Sequence, residues 1–187
     1  KTIFHRLYID FNVFYMDRTN LQADIADQAD PTNPVTFYFY TANIKKGLNS
    51  GVDLSLNYNL SKKINLFFNY GFLKTSKDSF SYPSPIYGQV EIEKREQARS
   101  PKYTLNTGFE ATVTEKLFTR FEILKKDRYY YFNNTNHMAR RHTIINISSR
   151  YQINKNLNMK LSIRNITDER YGIHGFYFSV SGYEIEG

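Results

Sequence analysis

Polar and apolar residues alternate along this chain with a period of two. The segment 52–60 shows the pattern most clearly, with Val52, Leu54, Leu56, Tyr58 and Leu60 apolar and Asp53, Ser55, Asn57 and Asn59 polar. The alternation resumes at 64–70 and recurs at 103–113 and 157–164. A period of two is the signature of a β-strand with one apolar and one polar face. The pattern therefore predicts an all-β chain.

The alternation and its interruptions predict about seven antiparallel strands. Their expected ranges are 3–26, 35–60, 64–77, 101–113, 117–132, 140–153 and 157–170. Gly47 and Gly51 fall inside the second strand, where they predict a bulge or a bend. The segment after Gly172, which contains Phe176, Tyr177 and Phe178, is expected to be a loop.

The connections between these strands alternate between short and long. Three polar turns of the same form lie at 61–63, 114–116 and 154–156, and long polar connections lie at 27–34, 79–99 and 133–139. This asymmetry is typical of outer-membrane β-barrels, which have short periplasmic turns and long extracellular loops. About seven strands cannot close at the radius of a large barrel, so the sheet is expected to be open.

Composition agrees with a barrel only after the alternation is considered. A net charge of +7 and a mean hydropathy of −0.57 would by themselves suggest a soluble basic protein. Barrel strands hide their lipid-facing residues from such averages, because every second residue faces a polar lumen. The chain has no run of 18 apolar residues, as a membrane-spanning helix requires, and no visible signal peptide. Its 16 Tyr and 15 Phe suit interfacial girdles, and its lack of cysteine excludes disulfides.

Four ordered motifs resemble those of one family, the TonB-dependent outer-membrane transporters. They are Phe14-Tyr15-Met16-Asp17-Arg18-Thr19-Asn20-Leu21, then Ala42-Asn43-Ile44 with Gly51-Val52-Asp53, then Arg99-Ser100-Pro101, and finally Asn165-Ile166-Thr167-Asp168-Glu169-Arg170-Tyr171. Each motif is weak alone, and their order and spacing carry the resemblance. The last motif is the most specific, because in this family it precedes the final strand of the barrel.

The resemblance implies that residues 1–187 are the C-terminal portion of a barrel of about 22 strands with a plugged lumen. The plug, the energy-coupling box and the final strand are expected to lie outside this chain. Implied partners are outer-membrane lipid and lipopolysaccharide, a small ligand such as a ferric siderophore, and the TonB complex through the N-terminal part. The implied function is energised uptake in the Gram-negative outer membrane, with no cofactor. A passive porin is the alternative.

One basic and aromatic segment is the candidate binding site. Residues 125–141 carry five cations against one acid, a formal +4, and a run of four aromatic residues. Forked hydrogen bonds from arginine and contacts with aromatic rings suit an anionic ferric chelate. The candidates are Arg128, Tyr129, Tyr130, Tyr131, Arg140 and Arg141. The alternative is an aromatic girdle with arginines that meet lipid phosphates. Nucleic acid is not expected at a membrane-facing sheet.

The remaining polar residues have ordinary explanations. His137 and His142 match no common metal-site spacing, so they are expected to be solvated. Asp24, Asp27 and Asp30 lack the glycine and terminal glutamate of a calcium loop and are expected to be solvated acids. No nucleophile elbow, phosphate loop or zinc motif is present, so the sequence predicts no enzyme. Four charged residues are expected to lie in the barrel interior, pairing with each other or with a plug: Glu110, Arg120, Glu122 and Arg164.

Overall fold

The computed structural model describes residues 2–4, 6–30, 32–33, 35–173, 175, 177–180 and 183–186. In these described residues, fourteen strands form one large sheet and three small hairpins. The large sheet contains β1 (Thr2–Phe4), β2 (Leu7–Gln28), β3 (Phe37–Asn59), β4 (Ile64–Lys77), β7 (Tyr103–Thr112), β8 (Leu117–Lys126), β11 (His142–Gln152) and β12 (Asn158–Ile163). The hairpins pair β5 (Phe80–Ser84) with β6 (Gly88–Ile92), β9 (Tyr129–Tyr130) with β10 (Met138–Ala139), and β13 (Tyr177–Val180) with β14 (Tyr183–Glu186).

Every pair of neighbouring strands in the large sheet is antiparallel, in the order β1-β2-β3-β4-β7-β8-β11-β12. Within the described residues β1 pairs only with β2 and β12 only with β11, so the sheet is open, as expected. The described part of the chain contains no helix that is long and apolar enough to cross a membrane. The described residues form a wall of antiparallel strands, and none of them is in a helix.

The three predicted turns are confirmed, and all lie at one end of the sheet, which we call the turn end. Each is closed by its first side chain: Ser61 Oγ accepts bonds from Lys63 N and Ile64 N, both at 3.1 Å. Thr114 Oγ1 accepts from Leu117 N at 3.0 Å, and Asn154 Oδ1 accepts from Asn156 N at 2.9 Å. A side-chain oxygen that binds the backbone two or three residues later closes a tight turn. The three long connections meet at the opposite end, the loop end.

Strand register separates the apolar and polar side chains as the alternation predicts. Val13 lies opposite Val52, and Val52 lies opposite Phe72. On the other face, Asn69 lies opposite Asn106. Neither face is in a packed interior: Tyr58 and Asp53 are both exposed, because a single open sheet leaves both sides accessible. Exposed aromatics and aliphatics on the apolar face, with Tyr15 73% exposed, match a lipid-facing surface rather than the inside of a soluble sandwich.

Strands β8 and β12 both end several residues before their predicted ends, and the end of β12 has a local cause. Strand β12 stops at Ile163 instead of continuing to 170, because Asn165 adopts a left-handed conformation with φ of 52°. Its side-chain amide donates to Glu169 O and its Oδ1 accepts from Glu169 N, both at 3.0 Å, which forms a turn. Strand β8 stops at Lys126 instead of 132, and the next residues turn away to form β9.

The long connections are more regular than expected. The second contains the β5–β6 hairpin, and the third contains the β9–β10 pair. The segment after Gly172, predicted to be a loop, instead contains the β13–β14 hairpin, although Phe176 lies outside the described residues. The first predicted strand, 3–26, is divided into the short β1 and the long β2. These elements are short and lack a long alternating pattern, so the sequence signal for them was weak.

The bulge predicted at Gly47 and Gly51 is wrong. Strand β3 keeps a constant register with β2 and β4 through both residues. A Cβ at Gly51 would overlap the carbonyl oxygen of Phe72 on the next strand, so this glycine allows a close approach of two backbones. The irregularity lies instead at Asn20, which has φ of 54° and no paired residue between Thr19 and Leu21.

The two faces exchange at Asn20. Below it, Val13 and Gly51 lie on opposite faces of the sheet by alternation and register. If the alternation continued beyond Asn20, Leu21 would lie on the same face as Val13, and Gly47 on the same face as Gly51. The Cδ2 atom of Leu21 instead lies 2.7 Å from the position that a Cβ on Gly47 would occupy, so Leu21 and Gly47 share a face. The projecting ends of β2 and β3 therefore turn their apolar side chains towards the β5–β6 hairpin. The resulting buried cluster contains Ala23, Ile25, Ala42, Ile44, Phe80 and Tyr82.

Candidate functional site

At the loop end, the segment 133–136 of the third connection binds the ends of β2 and β4 and the second connection. Asn133 O and Oδ1 accept bonds from Lys77 Nζ at 2.7 and 3.0 Å. Arg95 donates to Thr135 O at 2.9 Å and to Asn136 Oδ1 at 2.8 Å. These contacts join the third connection to the end of β4 and to the second connection. We call the group formed by Lys77, Arg95 and residues 133–136 the loop-end hub.

The end of β2 and the β5–β6 hairpin also reach the hub, through Asn134. Its Nδ2 donates to Ala26 O at 2.9 Å and to the Tyr82 hydroxyl at 3.3 Å. The hub therefore joins the end of β2 to the second and third connections by side-chain hydrogen bonds.

The two cations of the hub have no carboxylate partner among the described ion pairs. Lys77 is 1% exposed and lies over the Phe80 ring, 4.6 Å from its centroid, and Arg95 lies 4.7 Å from the Tyr130 centroid. Lys77 is the last of the 14 residues of β4 and lies beyond the 9 to 11 that cross a bilayer. Burial, with a contribution from the charge of Arg95, lowers the pKa of Lys77 to about 7. Burial also lowers the pKa of Arg95.

The structure separates the six predicted site residues into two groups. Arg128, Arg140 and Arg141 are exposed, and Arg141 Nε lies 3.4 Å from Asp127 Oδ1. The tyrosines instead pack against protein: the hydroxyl of Tyr129 donates to Ile173 O at 3.0 Å, and burial raises its pKa. The Nζ atom of Lys126, which also belongs to the 125–141 segment, lies 4.7 Å from the centroid of the Tyr129 ring. The arginines can meet a soluble or lipid anion directly, whereas the tyrosines support the loop.

A cavity of about 600 Å³ lies on the polar face beneath Tyr129. The strands contribute polar residues to its wall, including Asp53, Asn69 and Asn106. His142 and Tyr171 also line it, with their rings stacked at 4.2 Å between centroids. Because it opens on the lumen side of the sheet, this cavity belongs to the interior of the barrel.

The expectation of a solvated histidine is wrong for His142. It is 7% exposed, and its Nδ1 lies 3.1 Å from Arg140 O. Burial of His142 could not be predicted from the sequence, because its partner Tyr171 lies 29 positions later and reaches it through the turn at Asn165.

A second cavity, of about 590 Å³, lies at the loop end between the end of β2, the β5–β6 hairpin and the hub. Asp27, Tyr82, Tyr87 and Asn134 are among its lining residues. Of these four lining residues, the sequence indicated only Asp27 as a candidate, as one of three acidic residues at three-residue spacing. Those acids do not converge: Asp30 instead accepts bonds from Thr32 N at 2.8 Å and Thr32 Oγ1 at 2.7 Å, which lower its pKa. Across the described residues no three His, Asp or Glu side chains form a metal-binding group.

The predicted interior charges pair with each other in the strand wall. Arg120 binds Glu110 on β7 and lies 2.9 Å from Glu122 Oε1 on its own strand. Asn146 Nδ2 on β11 donates to Glu122 at 3.2 Å. The guanidinium of Arg120 also lies 4.2 Å from the centroid of Phe67. The fourth residue of the prediction, Arg164, has no ion pair among those described.

Both the sequence and the fold of this chain are similar to those of known proteins. The sequence matches the family described as TonB dependent receptor-like, beta-barrel, over residues 3–166. A search of curated proteins finds no match. Among solved structures, the siderophore receptor PiuA from Acinetobacter baumannii is 20% identical with a TM-score of 0.68, covering 97% of this chain and 24% of that one.

Two further structures are similar. The ferric-catecholate import receptor Fiu from E. coli K12 is 14% identical with a TM-score of 0.59, covering 100% of this chain and 24% of that one. The ferric yersiniabactin uptake receptor FyuA from Yersinia pestis is 12% identical with a TM-score of 0.59, covering 98% and 33%. At these identities the likeness shows the fold, and this chain spans between 24% and 33% of the length of the three structures.

The family match covers most of the chain and agrees with the open antiparallel sheet and its alternating turns and loops. Members of this family are transporters rather than enzymes and lie in the outer membrane of Gram-negative bacteria. The chain belongs to the TonB-dependent receptor family, and it forms part of the outer-membrane β-barrel of such a receptor.

Proposed function

We propose that this chain is part of a transporter that takes up an anionic ferric chelate, such as a ferric siderophore, with energy supplied through the TonB complex. The family membership supports active transport, and it gives no support to a passive porin. The similar structures are receptors for siderophores and ferric chelates by description. Within the transporter we place residues 1–187 in the C-terminal part of the barrel, on the order of the four sequence motifs. Coupling to TonB is assigned to the N-terminal part of the receptor.

The observation that carries the choice of an anionic ligand is the exposure of three arginines on one connection at the loop end. Arg128, Arg140 and Arg141 project from the segment that leads into and out of the β9–β10 pair. Only Arg141 lies near a described carboxylate, at 3.4 Å, so the group keeps a positive charge. Exposed arginines hold carboxylate, catecholate or phosphate oxygens through charge-assisted hydrogen bonds. A second role, contact with lipopolysaccharide phosphates, uses the same chemistry.

The test is charge reversal in the intact receptor. The variant Arg128→Glu, Arg140→Glu and Arg141→Glu is displayed on whole cells, and binding of ferric enterobactin, an anionic chelate, is measured at equal surface abundance. We expect affinity to fall at least tenfold, because each lost charge-assisted hydrogen bond contributes about 1–3 kcal/mol. Assembly should persist, since these side chains lie on surface loops outside the strand wall.

A matched control separates a local contact from general electrostatic attraction. The variant Lys45→Glu, Lys46→Glu and Lys94→Glu makes the same change in net charge with exposed side chains towards the loop end. We expect it to retain affinity within about twofold. Equal losses in both variants would indicate long-range steering, and unchanged affinity in the arginine variant would assign these arginines to lipid phosphates instead.

A further inference from the structure

Positive charge is concentrated at the turn end of the sheet. The three turns contain four lysines and one glutamate, a formal +3: Lys62, Lys63, Lys116 and Lys155 against Glu115. Arg6 lies beside the first turn, because its carbonyl oxygen accepts a bond from Asn59 N at 2.8 Å. The loop end is more mixed, since connection 27–34 has two acids and no cation, and connection 79–99 has three of each. We call Arg6 and the four turn lysines the basic rim.

The cations of the basic rim are available to an external anion. All five residues are exposed, and none of them takes part in the ion pairs of the described part of the chain. The backbone that carries them is held in place: Lys63 N donates to Ser61 Oγ at 3.1 Å, and Lys116 N donates to Thr114 Oγ1 at 3.3 Å. Tight turns therefore present these ammonium groups to the surroundings on side chains that lack a protein carboxylate.

Exposed aliphatic side chains flank each turn. Leu60 and Ile64 lie on either side of the first turn, Val113 precedes the second, and Ile153 and Leu157 flank the third. Each of them continues the apolar, lipid-facing set of its own strand. An aliphatic group in hydrocarbon with a lysine next to it is typical of the boundary between acyl chains and headgroups, where the lysine stem stays in the apolar layer and the ammonium reaches the polar one. This arrangement favours a lipid partner over a water-soluble protein.

The length of the apolar face places the basic rim at a membrane surface. On β4 this face runs from Ile64 to Phe72, and Phe72 lies opposite Val52 on β3. The next residue on the same face, Lys74, is exposed and lies ten positions after Ile64. Because 9 to 11 residues of a strand cross a bilayer, one headgroup layer lies near Lys74 and the other lies near the turn lysines. Short turns of outer-membrane barrels lie on the periplasmic side, so the basic rim meets the periplasmic leaflet.

We propose that the basic rim binds the phosphates of anionic phospholipids, such as phosphatidylglycerol, in the periplasmic leaflet of the outer membrane. The ammonium groups of the turns contact the lipid phosphates, while the acyl chains cover the aliphatic residues beside each turn. A zwitterionic phospholipid binds less well, because it has no net negative charge to attract the lysines. The contact holds the turn end at the level of the headgroups. It is independent of the chelate proposed above, whose arginines lie at the loop end.

The experiment uses the full receptor in vesicles of phosphatidylethanolamine. A small fraction of the lipid carries a photoactivatable headgroup, on phosphatidylglycerol in one sample and on phosphatidylethanolamine in the other. After irradiation and peptic digestion, mass spectrometry gives the ratio of the two crosslinking yields at the peptides that contain the turns. We expect a ratio of at least about three, since basic residues at a membrane surface attract anionic lipid. A ratio near one in the wild type overturns the proposal.

A variant without the turn lysines tests the assigned contacts. It combines Lys62→Gln, Lys63→Gln, Lys116→Gln and Lys155→Gln. Substitutions of exposed residues such as these have little effect on folding. The ratio at the turn peptides should fall to near one, and an unchanged ratio overturns the assignment. Cosedimentation of the receptor with purified peptidoglycan that is lost in this variant, without any lipid preference in the wild type, assigns the basic rim to the cell wall and also overturns the proposal.

A matched control loses the same charge from exposed lysines away from the turn end. It combines Lys45→Gln, Lys46→Gln, Lys94→Gln and Lys102→Gln. We expect it to keep the wild-type ratio at the turn peptides. Equal losses in both variants would assign the lipid preference to net charge and would overturn a local contact. Neither variant changes Arg128, Arg140 or Arg141, so both should bind ferric enterobactin as the wild type does, and failure of the chelate proposal is distinguishable from failure of this one.

Discussion

Two clusters of cations in this chain are stabilised in different ways. In the strand wall, Arg120 is paired with two carboxylates, Glu110 and Glu122. In the loop-end hub, Lys77 and Arg95 are held by amide and carbonyl oxygens and by aromatic rings. Strand register explains the first cluster, because Glu110 lies directly opposite Arg120 on the neighbouring strand. The second cluster exists only after the long connections fold over one another.

The difference predicts different responses to mutation and pH. A cation with carboxylate partners leaves unpaired charge behind when it is removed. A buried cation with neutral partners bears a desolvation cost that no opposite charge offsets, and removing it relieves that cost. The wall should therefore be sensitive to substitution, and the hub should be sensitive to pH.

The largest effect is expected at Gly108 in the strand wall. A Cβ there would overlap the Phe121 carbonyl oxygen on the neighbouring strand and crowd the Phe67 ring, so Gly108→Ala requires a backbone shift. We expect a cost of about 3 kcal/mol, at the upper end for overpacking. The measurement is the fraction of receptor that folds, read from the mobility of unheated samples on gels.

Gly71→Ala is the matched control, since it lies on the adjacent strand β4 and also on the polar face. A Cβ at Gly71 would meet only side-chain atoms, Thr104 Oγ1 at 3.1 Å and Asp53 Oδ1 at 3.2 Å, which can rotate away. It should fold nearly as well as wild type. Similar folded fractions for the two alanine variants would show that the close approach of β7 and β8 at Gly108 is not required for the strand wall to fold.

An intermediate effect is expected when the strand wall loses its cation, and little or no loss when the hub loses one. Arg120→Met leaves Glu110 and Glu122 without their partner and should lower the free energy of unfolding by about 2 kcal/mol, less than a fully buried pair because these side chains remain partly accessible. Lys77→Met fills a similar volume without a charge and should be neutral or stabilising. Urea unfolding of both variants in lipid vesicles measures the difference. A larger loss for Lys77→Met than for Arg120→Met would contradict the comparison.

A third response is a pH dependence confined to the hub. The pKa of Lys77 is about 7 when folded, against 10.5 for an ordinary lysine. Below pH 7 the Lys77 amine is protonated both when the hub is folded and when it is locally unfolded, so the folded hub bears the full desolvation cost of the charge. Between pH 7 and 10.5 the amine is protonated only in the locally unfolded hub. The equilibrium constant for folding of the hub therefore rises with pH, by up to about tenfold per pH unit.

Hydrogen exchange measures this pH dependence at the backbone pair that closes the second connection. Lys77 N donates to Arg95 O at 2.8 Å, and Arg95 N donates to Lys77 O at 3.2 Å. Protection factors for these two amides, corrected for the intrinsic exchange rate, should rise between pH 7 and 9 in wild type. They should be flat in Lys77→Met. A rise of equal size in that variant would assign the titration to another group.

Three of the four motifs that carried the family resemblance contain a residue with an irregular backbone conformation. Asn20, Arg99 and Asn165 each belong to one of the motifs, and all three have positive φ. Asparagine tolerates the left-handed region because its short polar side chain can bind nearby backbone groups. At Asn20 the two faces of the strand exchange, and at Asn165 strand β12 ends. The sequence identified these positions as characteristic, and the structure shows the conformation that each one adopts.

The site was less predictable than the fold. Composition alone groups Arg128 with Tyr129, but one is exposed and the other is buried against Ile173. The hub could not be predicted, because Lys77 and Asn133 are 56 residues apart and neither belongs to a motif. The cavity beside Asp27 could not be predicted either, because its other walls come from the β5–β6 hairpin and the hub. Contacts between loops have no period that a sequence can display.

The sequence by itself determined the strands, the three turns and the separation of polar from apolar faces, because side-chain alternation follows from backbone geometry within a single strand. Local residues also determined where the chain turns, since Ser61, Thr114 and Asn154 bind backbone groups only two or three positions away. Tertiary structure decided the loop-end hub, the cavities and the lowered pKa of Lys77. These depend on burial and on partners from different connections, and both exist only after the sheet has brought the long connections together at one end.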